Sequence, residues 1–263
     1  MKKLFVIKIG GNVIDDAQSL DAFLQRVAQI DTPVILVHGG GKIATRIGDQ
    51  LGIESKYIDG RRITDDGTID LVTMVYGGLI NKKIVAALQG YNCNALGITG
   101  ADGNLVPAVK RPVKSIDYGW VGDVQQTALK AAQWAALLEA GFVPVLAPLT
   151  HDGKGHMLNT NADTMASAVS VCLGALYNVR LVYCFEKKGI LRDIGQEDSV
   201  ISHLDKENYN SLKAAGKLFA GILPKLDNAF AAIDAGVEEV LIGHADDLLQ
   251  NTGEQTTGTL ITA

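Results

Sequence analysis

Short apolar, β-branched runs recur along this chain, separated by longer segments of helical periodicity. That alternation leaves few folds open, because it is the pattern of a mostly parallel sheet wrapped by helices. The runs Leu4 to Ile9, Pro33 to His38, Asn94 to Thr99, Val143 to Pro148, Arg180 to Phe185 and Glu239 to Gly243 lack a polar residue at every second position. Strands covered on both faces have that character. Apolar residues recur at three and four residues in Ser19 to Ile30, Ile69 to Leu88, Ala128 to Ala140, Ala162 to Leu176, Lys206 to Ala215 and Leu223 to Ala235, which predicts helices. The fold class is α/β. Turn-rich sequence from Gly100 to Asp123 and from Pro148 to Asn159 predicts short antiparallel additions, the second turning at Asp152-Gly153, which supplies residues suited to positive φ. Two lobes are expected, 1–177 and 178–263, with a soft boundary and no linker between them.

At 263 residues and 47% hydrophobic content, the chain can bury one large core or two closely joined lobes. A formal charge of −5 and a pI near 5.5 argue against general attraction to nucleic acid or an anionic membrane. A small-molecule partner is expected instead. No uninterrupted apolar stretch reaches the ~20 residues of a bilayer span, and MKKLFVIKIGG breaks at glycines before a secretory core could form. These features predict a cytoplasmic protein. Cys93, Cys172 and Cys184 are odd in number and widely spaced, which suits a reducing compartment and matches neither a disulfide framework nor a zinc ribbon. No metal-ligating residue is assigned.

Two glycine clusters follow predicted strands directly: Gly10-Gly11 after VIKI and Gly39-Gly40-Gly41 after VILVH. Lacking Cβ atoms, such turns let a phosphate approach the backbone, and helix N-termini supply N–H donors. Either cluster alone would more often simply end a strand; two at equivalent strand ends favour a polyphosphate site. GGGKIAT lacks P-loop spacing and neither cluster satisfies the dinucleotide fingerprint. Lys8 lies in an apolar strand two residues before Gly10, where burial without an anionic partner would be costly; a snorkelling edge lysine is the bland reading. Asn159, Asn161 and Asp163 precede or open a predicted helix. Asn161 and Asp163 suit a cap and a dipole-compensating acid, and the three together suit a catalytic ridge. Lys225 follows Pro224 in the first turn of another helix, where a cation opposes the macrodipole and answers better to a bound anion. Arg61 and Arg62 offer the guanidinium fork that receives carboxylates, though either alone would usually be a solvated charge.

With KIGGN (8–12), HGGG (38–41), GRRIT (60–64), DGN (102–104), VGDV (121–124), NTNAD (159–163), GILPK (221–225) and TGT (257–259), the chain resembles the N-acetylglutamate kinases of the amino-acid kinase superfamily along almost its whole length. HGGG or KIGG alone would indicate only the superfamily; GRRIT with NTNAD narrows the match to the acylglutamate branch. The resemblance implies a three-layer αβα sandwich around a mostly parallel sheet, with the acceptor bound in the N-terminal lobe and ATP in the C-terminal one. It implies that Lys8 and Lys225 neutralise the phosphoryl group in flight, that Asp163 holds both lysines, and that Gly10, Gly11, Gly40 and Gly41 give backbone donors to phosphates. Gly40, Gly41, Arg62 and Asn159 would bind the acylglutamate, Arg62 at its α-carboxylate. Mg2+ would ride mainly on nucleotide oxygens and water.

The implied reaction is transfer of the γ-phosphoryl group of ATP to the γ-carboxylate of N-acetyl-L-glutamate, the second step of arginine biosynthesis. N-succinyl-L-glutamate is the alternative acceptor, and a catalytically silent amino-acid or nucleotide sensor is the alternative of another class. Retention of Lys8, Asp163 and Lys225 argues against a sensor. YCFEKKG (183–189) stands where the family carries a TDV-like segment, so no adenine or ribose contact is assigned. With the first strand expected by Leu4, the resemblance implies a homodimer without arginine feedback, joined through the helix Ile69 to Leu88.

Overall fold

A computed structural model of the chain describes all 263 residues except Asp59, Ile194, Glu197, Lys217, Phe219, Ala220 and Gly221, and omits the side chain of Pro224. Gly221 of the GILPK motif therefore lies outside the described residues. In chain order, β1 (Lys2–Ile9) leads to α1 (Gly11–Asp15) and α2 (Ala17–Val27), and β2 (Val34–His38) leads to α3 (Gly41–Gln50). A hairpin of β3 (Tyr57–Ile58) and β4 (Arg61–Arg62) precedes α4 (Asp66–Val72), a π-helical segment (Thr73–Ile80) and α5 (Asn81–Gly90). Next come β5 (Ala95–Ile98), β6 (Ala108–Lys110), β7 (Gly122–Val124), α6 (Ala131–Glu139), β8 (Val143–Leu146), β9 (Leu149–His151), β10 (Met157–Asn159) and α7 (Ala162–Leu173). The last elements are β11 (Tyr177–Phe185), β12 (His203–Leu204), α8 (Lys206–Ala214), α9 (Leu223–Asp234), β13 (Glu239–His244), α10 (Leu248–Thr252) and β14 (Thr259–Ile261).

Eight strands form one sheet in the order β12-β14-β13-β11-β1-β2-β8-β5. Neighbours are parallel throughout except β13 and β14. β1 lies at the centre with its last six residues buried, which accounts for its continuous apolar run. Successive side chains still point to opposite faces. Leu4 and Val6 join a core with Trp134 of α6, Met165 and Val169 of α7, and Leu226 and Phe230 of α9. Phe5, Ile7 and Ile9 join another with Phe23 and Leu24 of α2, Leu71 of α4, Ile84 of α5 and Leu248 of α10. The three layers are thus set by alternation along one strand, each fully buried Leu, Ile or Phe contributing roughly 1.5–3 kcal/mol. The expected boundary at 177/178 falls on the first residues of β11, which pairs with β1 over eight residues. The sheet continues through it.

Asx residues start four helices: Asp16, Asp65, Asn161 and Asp205 accept from the backbone N–H of Ser19, Thr68, Thr164 and Asn208 at 2.7–3.0 Å, contributing roughly 1 kcal/mol each. The expected helix 69–88 extends over Asp66–Gly90, 25 residues, which by length and composition could cross a bilayer. Here it buries Ile69, Leu71, Val72, Val75, Tyr76, Ile80, Ile84 and Leu88 in the core. Both antiparallel additions are present, as β6 with β7 and β9 with β10. In the second turn, Gly153 and Gly155 take positive φ (72° and 98°). Asp152 does not; its carboxylate instead accepts from Lys154 and His156 N–H. Strands β12 and β14 were not anticipated.

Candidate active site

Parallel register sets Lys8 of β1 opposite Tyr183 of β11, both on the face covered by α7 and α9. Lys8 is 9% exposed. Its Nζ lies 2.7 Å from Asp163 Oδ1 in the first turn of α7, giving the buried ammonium the anionic partner it needs. Asn161 proves to be the N-cap of that helix. Lys225 enters the same space from the first turn of α9, its Nζ 3.6 Å from the centroid of the Phe185 ring, with Lys8 Nζ 5.9 Å from the same centroid. Burial holds the Lys225 ammonium below the ordinary lysine range; Asp163 opposes this, Lys8 adds to it and Glu186 opposes it. Asp163 thus pairs directly with Lys8, its charge also acts on Lys225, and both cations lie over the face of Phe185.

The two glycine turns sit side by side, Gly39 N–H donating to Ile9 C=O at 3.2 Å. Gly10 caps α1 at an ordinary φ of −91°, and a Cβ there would lie 3.8 Å from Lys8 Nζ, at ordinary contact distance, so the turn adjoins that ammonium. Gly40 is different, with φ of 149° and a missing Cβ that would run into Ile80 Cδ1 and crowd Tyr76 at 3.2 Å. Gly41 opens α3 with free space where a Cβ would be. Buried His38 braces this loop. Its Nδ1 bonds the Gly39 carbonyl at 2.8 Å and its Nε2 faces Asn81 Nδ2 at 3.2 Å, while Asn81 donates to Val145 C=O at 2.8 Å. The tautomer that fits has the proton on Nδ1. Burial lowers the His38 pKa to about 4, so it is neutral. The helix Asp66–Gly90 grips the glycine loop through Tyr76, Ile80 and Asn81, at and just past its π-helical segment, a geometry frequent near functional sites.

Of the two adjacent arginines, Arg61 is exposed and Arg62 is 7% exposed. Arg62 donates to Ser55 Oγ, and at 2.9 Å to both Gly41 C=O and Thr45 Oγ1, with its guanidinium 4.8 Å from the Tyr57 ring centroid. Asn159 Nδ2 donates to Thr64 Oγ1 at 3.0 Å, and Trp120 ties the two segments through N–H to Thr64 C=O (2.6 Å) and C=O from Asn159 N–H (2.8 Å). Thus Arg62 and Gly41 are joined directly, and Asn159 connects to them through Thr64. In the DGN and TGT motifs, Asp102 accepts from Thr99 N–H and Oγ1–H, and Thr259 Oγ1 accepts from Ile190 N–H.

Beyond the C-terminal ends of β11 and β13 lies a groove of about 440 Å3 lined by Glu186, Lys187, Lys188, Leu191, His244, Asp246 and Asp247. Its size suits a nucleotide, and its place is where open α/β sheets bind ligands. A second, narrow cleft is lined by Asp163, Tyr183, Phe185, Lys225 and Asn228. Tyr183, Phe185 and the groove residues Glu186 to Lys188 all lie in YCFEKKG, whose departure from the family pattern is the sequence signal that marks them. Among the described residues no three His, Cys, Asp or Glu side chains cluster as a metal cage. The arrangement can bind a polyanion at two cations and N–H groups, and orient a carboxylate at a guanidinium and an amide.

The family described as Amino acid kinase family matches residues 3–244. The acetylglutamate kinase of Cytophaga hutchinsonii is 53% identical over 265 residues, covering all of both chains, and that of Bacteroides thetaiotaomicron is 53% identical over 252 residues, covering 96% of this chain and 97% of its own. Among solved structures, an N-acetylglutamate synthase from Neisseria gonorrhoeae superposes with a TM-score of 0.81 at 24% identity, over 99% of this chain and 59% of that one. A carbamate kinase from Giardia lamblia superposes at 0.70 and 12% identity, over 99% and 98%.

Proposed function

Because the chain belongs to the amino acid kinase family, we propose that it transfers the γ-phosphoryl group of ATP to the γ-carboxylate of N-acetyl-L-glutamate in the cytoplasm, as the second step of arginine biosynthesis. The observation that carries the reading is the convergence of Lys8, paired with Asp163, and Lys225 over the Phe185 ring beside the Gly10 turn. A carboxylate acceptor is already ionised and needs no general base. Its repulsion from a polyanionic donor is the obstacle, and positioned cations and N–H dipoles reduce it.

In this reading the N-terminal lobe, 1–177, binds the acceptor through Arg62, Asn159, Gly40 and Gly41. Residues 178–263 bind ATP in the groove beside Glu186 and His244. Gly10, Gly11, Gly40 and Gly41 give backbone contacts to phosphates, Lys8 and Lys225 meet the transferring group, and Asp163 holds the lysines. Mg2+ would ride mainly on nucleotide oxygens and water, and when bound it would supply charge neutralisation on the phosphates. Two copies pair through the helix Asp66–Gly90, whose Met74 and Leu79 are 56% and 37% exposed.

Hydroxylamine trapping of the acyl phosphate tests the reaction, with Mg-ATP and N-acetylglutamate, N-succinylglutamate, glutamate or aspartate offered in parallel. Hydroxamate from N-acetylglutamate, reduced ~100-fold or more in Lys8→Ala, is expected. Hydroxamate from N-succinylglutamate alone replaces the acceptor, and none from any of the four refutes the kinase reading.

A further inference from the structure

Tyr183 is 4% exposed, yet among the described residues its hydroxyl has no hydrogen-bond partner. It faces the narrow cleft that Asp163, Phe185, Lys225 and Asn228 complete. Most buried hydroxyls have partners, and one left without is destabilising, so its retention calls for a physical cause. A second buried oxygen on this cleft, Asp163 Oδ1, is held by Lys8 as an ion pair but by no directed hydrogen bond. The cleft thus holds the Asp163 carboxylate, engaged by Lys8, and the Lys225 side chain.

Register fixes what Tyr183 can reach. It is the cross-strand neighbour of Lys8, on the same face of the sheet, and its side chain has about the length of a lysine. Its ring is held against Phe185 at 6.1 Å between centroids, and Phe185 in turn underlies Lys225. Burial, and then the nearby Asp163 charge, push the phenol well above its ordinary range. The hydroxyl therefore stays protonated and acts as a donor. It has no use as a base.

Resting on the kinase reading above, we infer that Tyr183 is a further catalytic residue, whose buried hydroxyl donates a hydrogen bond to an oxygen of the phosphoryl group as it passes between Lys8 and Lys225. No proton is transferred; the contact stabilises negative charge on the equatorial oxygens, as other preorganised donors do. Among the described residues no protein group accepts from this hydroxyl, which leaves it available to the reacting group.

Tyr183→Phe removes one oxygen and keeps the ring. Three outcomes are expected together: hydroxamate kcat falls about 10- to 100-fold, KM for the acylglutamate stays within about twofold, and the unliganded enzyme melts at the same or a higher temperature. Binding of Mg-ADP with aluminium fluoride and acylglutamate should raise the melting temperature less in the variant than in wild type. Wild-type kcat in Tyr183→Phe overturns the inference, and so does a kcat loss accompanied by a lower melting temperature of the unliganded variant. If wild type turns over, Lys8→Ala does not, and Tyr183→Phe is fully active, only the role of Tyr183 fails. Absence of hydroxamate from wild type refutes the kinase reading and this inference with it.

Discussion

Phe185→Leu is expected to move the alkaline limb of kcat/KM to lower pH. In the unliganded site the Lys225 ammonium lies 3.6 Å from the Phe185 centroid and has no carboxylate within ion-pair distance among the described residues. Asp163 is engaged by Lys8, so the ring face is the compensating charge that Lys225 touches. A half-desolvated cation over an aromatic ring gains about 0.5–2 kcal/mol, or about 2- to 30-fold in the equilibrium between ammonium and amine. Burial already holds Lys225 below the ordinary lysine range. Removing the ring destabilises only the charged form, so its pKa drops further and the active protonation state is lost at lower pH. Leucine keeps an apolar side chain at this partly exposed position, which separates the electrostatic effect from unfolding. The assay is initial-rate hydroxamate formation at subsaturating acylglutamate across pH 6–10, since kcat/KM reports groups of the free enzyme. Phe185→Trp should restore the limb. A limb that is unmoved or moved upward in the leucine variant, or moved equally in the tryptophan variant, refutes the reasoning.

His38→Gln should flatten the acid dependence of stability. The folded-state pKa of about 4 lies below the ordinary 6.5, so the stabilisation is complete above about pH 6.5 and is lost as pH falls toward 4, by up to ~1.4 kcal/mol per pH unit; equal urea-midpoint slopes in variant and wild type would count against it. Gly40→Ala forces a methyl into Ile80 and Tyr76 at a φ of 149°, and should cost at least ~1–3 kcal/mol in urea unfolding; an unchanged midpoint contradicts the packing described. Arg62→Lys loses the fork that spans Ser55, Gly41 and Thr45, and KM for the acylglutamate should rise about 10- to 100-fold with a smaller change in kcat. An unaltered KM would remove Arg62 from the acceptor site.

Much of this was legible because strong local signals agreed with the global pattern. All six anticipated strands lie in the sheet, since buried parallel strands declare themselves by unbroken apolar runs. Lys8 was legible for the same reason: a lone cation in such a run needs a partner, and Asp163 supplies it. β12 and β14 were not, being two and three residues long and dependent on each other and on β13 for pairing. Nothing in TMVYGGLI announces a π-helix; its Tyr76 and Ile80 pack against Gly40, a contact that no local window contains. From the residues alone Arg61 and Arg62 were equivalent and only the family resemblance pointed to Arg62; the two-residue alternation of β4 buries Arg62 and leaves Arg61 exposed. Tyr183 and Phe185 looked like a departure from a family motif. Their proximity to Lys8 and Lys225 depends on strand register, which no local window contains.

The eight-residue ladder between β1 and β11 has a mechanical consequence. No flexible tether separates the proposed acceptor half from the proposed nucleotide half; they are welded along adjacent central strands. Any approach of one half to the other must be accommodated as a change in the twist and bending of a single hydrogen-bonded plate. Such a plate resists large rotations and returns elastically, so the travel that brings two anions together is short and is shared across many peptide bonds.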